Sequence, residues 1–296
     1  MDASDADRPR SRPTDEASDR RGDGSTPGAE ASAADGRAGA AEPSGVPSSR
    51  FTGDFARDFE VWAESYDTAP EIEALRENAM FESARVLFAR CGSGRLAFRL
   101  APLARRTVGI DGDRRLVALC RSRQPAQPAP LAFASADAHL LPLSEDTFDI
   151  AVDAWTLADL AAPERAIEEY RRVVDDGGTL AIIYGRTGSA VESVSCRVDG
   201  RFSHRTAVAE RVLDETLGEP TVQTDIDSAR TFRSLGEAVD AFAFQFEWAG
   251  DPLDDEARET VRSALCDRQG AGEDSIEMGE RARLRIYRPA SRPRSE

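Results

Sequence analysis

The 296-residue chain sets 38 arginines, with no lysine at all, against 54 aspartates and glutamates, for a formal charge of −16. So acidic a chain argues against long nucleic-acid partners, which need basic stripes, and no apolar run approaches the ~20 residues of a membrane span. Dense carboxylates without lysine suit a salt-loaded, GC-rich cytoplasm, where molar salt cuts the Debye length to about 3 Å; GC-rich coding with incidental acidity is the alternative.

Residues 1–50 are Asp, Ala, Gly, Ser, Pro and Arg with almost no aliphatic bulk. Burial there cannot offset ordering entropy, so a disordered tail is expected. Arg20-Arg21 precede polar residues rather than a hydrophobic segment, so no export signal is expected and the location is read as cytoplasmic. The globular domain is expected over 51–290, with its core at 84–185, a part at 186–290 completing the sheet and the substrate side, and a loose end at 291–296. Phe55, Phe59, Trp62 and Tyr66 recur at helical spacing and predict one apolar helix face. From Ala84 apolar runs alternate with helical patterns, the signature of βα units. Strands are predicted at 85–89, 107–110, 131–135 and 148–154. Helices are predicted from about Gly94 and over 113–123. Another begins at Pro163, where a missing N–H costs nothing, and is expected to stop at Gly177-Gly178 before a strand in "TLAIIY". Beyond Gly185, helices near 207–217, 235–246 and 255–266 and a final strand at 282–288 are expected. The fold class is α/β: a doubly wound, mostly parallel Rossmann-like sheet with helices on both faces.

In such a sheet ligands bind at the carboxyl ends of the strands. The stretch "VLFARCGSGRLAFRLA", Val86 to Ala101, puts a glycine turn there. Gly92 and Gly94 permit close backbone approach, and the helix that follows offers free N–H groups. Asp111 closes the next strand about 20 residues on, where a carboxylate can accept from ribose hydroxyls. Cys91, Cys120, Cys196 and Cys266, with His139 and His204, match no zinc spacing, so no metal is expected and the thiols are read as reduced.

The segment from Tyr66 to Tyr184 resembles a class I S-adenosylmethionine-dependent methyltransferase of the small-molecule, type 11 kind. "RVLFARCGSGRLAFRLA" resembles that family's first motif and "VGID" its ribose-binding strand end. "ADAHLLPLSEDTFDIAV" and "YRRVVDDGGTLAIIY" resemble its later segments, and Tyr66-Asp67 its N-terminal lid. The resemblance implies S-adenosylmethionine as cofactor and a small-molecule acceptor. It places Asp111 at the ribose, Asp137 and the Ala138 backbone at the adenine, and Gly92 and Gly94 beside the methionine half. Asp153 and Trp155 become substrate-side candidates. The chain departs from the motif at Phe88, where the family has an acid, and at Arg90, where it has glycine; Arg90 could pair with the cofactor carboxylate or fill the site. Two further readings stay open: a degenerate relative kept as a binding or regulatory module, and a dinucleotide-dependent oxidoreductase using the G-x-G-x-x-A run at Gly92–Ala97. No catalytic residue and no oligomeric state can be read.

Overall fold

The computed structural model describes residues 50–124, 130–268 and 274–288, all within one compact unit. Of the expected disordered tail at 1–50, only Arg50 is described, donating to Glu237 at 3.0 Å; the rest of it and the loose end at 291–296 lie outside the described residues.

Apolar runs of five to seven residues form the buried parallel strands, as expected where both faces of a sheet are covered. They are β1 (Arg85–Ala89), β2 (Arg106–Asp111), β3 (Leu131–Ser135) and β4 (Phe148–Ala154), followed by the longer β5 (Val174–Gly185). Two antiparallel strands, β6 (Val222–Phe232) and β7 (Ile276–Tyr287), complete a sheet of order β3-β2-β1-β4-β5-β7-β6. The chain order reverses between β1 and β4, and this is the switch point at which ligands bind in open α/β sheets.

Alternate residues of β1 serve opposite faces. Val86 and Phe88 pack into one core with Leu100, Val117 and Ile183. Leu87 and Ala89 pack into the other with Ile167, Tyr170 and Leu180. Phe88 is therefore a core side chain, only 3% exposed.

The helices are α1 (Phe55–Glu64), α2 (Ala69–Asn78), α3 (Arg95–Leu100), α4 (Arg114–Arg123), α5 (Pro163–Val173), α6 (Ala190–Val198), α7 (Arg205–Leu217), α8 (Leu235–Trp248) and α9 (Asp255–Cys266). Side-chain caps start several of them: the carboxylates of Asp54, Asp113 and Asp254 accept from Arg57, Arg115 and Ala257 N–H at 2.8–2.9 Å. A third core, built from Phe59, Trp62, Val194, Phe242 and Leu265, joins α1, α6, α8 and α9.

The sequence reading needs two corrections. The helix from Pro163 ends at Val173 rather than at Gly177-Gly178, and those glycines lie inside β5. Phe148 pairs with Val174 but Ile150 with Thr179, so β5 bulges there, with Gly177 at φ +79°. The last strand begins at Ile276, not 282, and it pairs along its length with β6, which no sequence signal announced.

Candidate functional site

A cavity of about 440 Å³ opens at the carboxyl ends of β1, β4 and β5. That is within the usual range of roughly 300–1,000 Å³ for small-molecule sites. Its floor is the turn after β1, Arg90 to Ser93, together with the end of β4 and the residues that follow it, Ala154 to Asp159. Phe59, Trp62 and Tyr66 of α1 and its C-terminal extension form one wall.

The turn is held from below by Asp111. Its Oδ2 accepts from Gly92 N–H at 2.9 Å and its Oδ1 from Asp113 N–H at 2.8 Å. Cys91 N–H adds a bond to the Ile110 carbonyl at 2.8 Å. Gly92 has φ +57°, and a Cβ there would come within 3.1 Å of the Phe59 ring, so α1 lies directly on the turn. A hydrogen bond with Cys120 and burial both push the Cys91 thiol well above its ordinary value.

Two non-glycine residues on the floor hold left-handed backbone: Arg90 at φ +50° and Trp155 at φ +68°. They immediately follow the adjacent strands β1 and β4. Such conformations cost of order 1–3 kcal/mol each and cluster at functional sites. Trp155 packs its ring on Gly185, where a Cβ would sit 3.0 Å away, and meets the Tyr66 ring edge-on at 5.5 Å. Its indole N–H donates to Glu71, which also accepts from the Arg95 guanidinium. Arg90 is the wall arginine without an ion pair among the described residues.

Beneath the floor Asp153 is fully buried. Its carboxylate accepts from the Thr156 hydroxyl at 2.7–2.8 Å and from Tyr170 OH at 3.0 Å. Burial pushes its carboxyl above the usual range, opposed by those bonds and by the Arg90 charge. On the sheet side, Arg230 donates to Glu280 at 2.6 Å and to the Trp62 carbonyl at 2.8 Å, with its guanidinium 3.9 Å from the Trp62 ring centre. Burial raises the Glu280 carboxyl, and Arg230 opposes the shift.

The cavity thus gathers Gly92, Arg90, Tyr66 and Trp155 from the residues singled out in the sequence. Gly94, Asp111, Asp137, Ala138 and Asp153 are not part of its wall. Gly94 carries the left-handed entry to α3, at φ +78°. Asp137 is turned to the surface, accepting from the His139 backbone at 2.9 Å and contacting its ring at 2.7 Å, while Ala138 packs in the core. Glu71, Arg230 and Glu280 had no sequence signal, because their partners lie 24 to 168 residues away. Among the described residues no cluster could hold a metal ion, and no helix is long and apolar enough to cross a membrane.

Residues 89–182 match the model of a family described as "Methyltransferase domain". The chain is 31% identical over 113 residues to the 2-phytyl-1,4-naphtoquinone methyltransferase of Synechocystis, covering 36% of this chain and 48% of that protein. It is 33% identical over 102 residues to the demethylmenaquinone methyltransferase of Thermus thermophilus, covering 33% and 46%. The chain therefore spans about half the length of these relatives. Among solved structures, a Bacillus halodurans C-125 protein described as a methyltransferase superposes with a TM-score of 0.53 at 16% identity, over 75% of this chain and 99% of that one. An Anabaena variabilis protein described as a methyltransferase from an antibiotic biosynthesis pathway gives 0.53 at 12%, over 73% and 96%. These structural likenesses establish the fold.

Proposed function

We propose that this chain, which carries a class I methyltransferase domain, transfers a methyl group from S-adenosylmethionine to a small acceptor held in the 440 Å³ cavity. The observation that carries the reading is the position of that cavity. It lies at the carboxyl ends of β1 and β4, beside the switch point, with the glycine turn in its floor.

The residues fit the cofactor best at its amino-acid end. Arg90, without an ion pair among the described residues, offers its guanidinium to the carboxylate in place of the motif glycine, while Phe88 is packed in the core and cannot supply the motif acid. At the adenosyl end each oxygen of Asp111 accepts one bond from the turn and keeps a lone pair for a ribose hydroxyl. Asp137 and Ala138 remain the proposed adenine contacts. When bound, the cofactor supplies a methyl group made electrophilic by its sulfonium. The protein's share is to align the acceptor and keep water out, which suits the aromatic wall of Phe59, Tyr66 and Trp155. No side chain need move a proton, so the reading names no catalytic base.

One observation favours a second reading, a fold kept as a binding module. The Phe59 ring lies on Gly92, so α1 covers the turn. Calorimetric titration with S-adenosylmethionine and S-adenosylhomocysteine in concentrated KCl separates the two. Methyl transfer predicts saturable heat from both, weakened by Asp111→Ala; an absence of heat from either supports the binding module.

A further inference from the structure

Two thiols meet at the glycine turn. Cys91 belongs to the turn itself, half-buried and lining the cavity, while Cys120 comes from α4 and is completely buried. Both contact one backbone atom: the Gly92 carbonyl accepts from Cys120 Sγ at 3.3 Å and from Cys91 Sγ at 3.9 Å. The two thiols are also hydrogen-bonded to each other. Glycines leave the room they fill. A Cβ on Gly94 would come within 3.2 Å of Cys120 Sγ, and one on Gly109 in β2 within 3.1 Å of Cys91 Sγ. The backbone of the turn therefore rests directly on the sulfur pair.

We propose that Cys91 and Cys120 form a modification site for a small hydroperoxide, which closes them to a disulfide and disables the cavity floor. With hydrogen peroxide as the oxidant, the sulfur of Cys91, the member that lines the cavity, takes one oxygen to become a sulfenic acid and releases water. The Cys120 thiol then attacks that sulfur and expels the oxygen as a second water. Two thiols and one peroxide thus give one disulfide and two waters. The raised value of the Cys91 thiol slows the first attack, because the thiolate is the nucleophile, so the pair answers sustained oxidant and ignores a brief pulse.

Bonded sulfurs lie about 2 Å apart, well inside hydrogen-bonding distance, and Cys120 loses the hydrogen it gives to the Gly92 carbonyl. Both changes fall on the turn, and a misplacement of about 1 Å in a site can cost roughly a hundredfold in rate. As a modification site the pair stands on this geometry alone; as a gate on the cofactor it rests on the methyl-transfer reading.

The test exposes the full reduced chain to hydrogen peroxide, maps the disulfides by peptide mass spectrometry, and titrates S-adenosylhomocysteine by calorimetry before and after. The expected result is a peptide linked through Cys91 and Cys120, an affinity at least tenfold weaker, and recovery of that affinity with dithiothreitol. S-adenosylhomocysteine bound beforehand should slow the linkage several-fold by covering Cys91. The Cys91→Ala variant, whatever its own affinity, should keep it through the same treatment. Peroxide that oxidises the exposed Cys266 yet leaves Cys91 and Cys120 unlinked would overturn the site. A link that leaves the affinity unchanged would overturn the gate. A reduced chain that forms the link but never binds S-adenosylhomocysteine would sink the methyl-transfer reading alone.

Discussion

Arg90 concentrates the consequences of this site in one residue. It holds a left-handed backbone, lines the cavity floor and lacks an ion pair among the described residues. Glycine would relax the backbone, so Arg90→Gly should raise stability by about 1 kcal/mol, within the range such strain stores. The same change should weaken S-adenosylhomocysteine binding by roughly tenfold or more, since a lost charge-assisted hydrogen bond is worth about 1.5–3 kcal/mol. Urea melts and calorimetry on one variant read both effects, and a less stable protein with unchanged affinity would refute this account of Arg90. Restoring an acid at Phe88 is a poorer experiment, because that side chain fills the core. Asp111→Ala removes the acceptor for both Gly92 and Asp113 N–H. It should cost about 2–3 kcal/mol of stability as well as affinity, and a stability equal to wild type would show the turn to be held elsewhere.

Among the elements, β1, β3 and β4 were legible to the residue because each is a short apolar run, β1 and β4 buried on both faces and the edge strand β3 on one. The end of α5 was misread because Gly177-Gly178 look like a helix stop, whereas they serve a bulge within β5. β6 escaped notice because an arginine stands at a buried position: Arg230, 8% exposed, breaks the apolar alternation. Only the tertiary structure supplies its partner, Glu280 on β7, and that pair also ties the sheet edge to α1 through the Trp62 carbonyl. Removing one member of a buried pair strands the other, so Glu280→Ala should destabilise by about 3–5 kcal/mol. A loss below 1 kcal/mol in denaturant melts would mean that water replaces the carboxylate. Of the candidate site, the glycine turn was readable from its pattern. The part of the cavity lined by α6, α7, β6, β7 and α8 was not, since its residues come from segments far apart in the chain.

For the molecule as a whole, charge sets the response to pH and salt. The Arg172 guanidinium, with Leu141 N–H, holds the Glu169 carboxyl below the usual range, and Arg85 does the same for Asp149. Folded-state values below the unfolded ones of about 4 mean stability complete above that pH and lost as pH falls through the lowered values. Asp153, raised by burial, has the opposite sign: its contribution is complete below the unfolded value and lost as pH rises through the raised one. Glu169→Gln should therefore flatten the acid limb of a stability–pH profile, and an acid limb as steep as wild type would contradict the assignment. Salt adaptation, one of the two readings of a charge of −16, predicts a higher melting temperature in molar KCl, as screening relieves repulsion; a lower one would point to incidental acidity. The most direct measurement of the central claim is the electron density of crystals soaked with S-adenosylhomocysteine. The account predicts the ligand in the cavity above the Arg90–Ser93 turn, its carboxylate on the Arg90 guanidinium and its ribose toward Asp111. Density elsewhere, or a cavity without ligand density at saturating concentration, would contradict it.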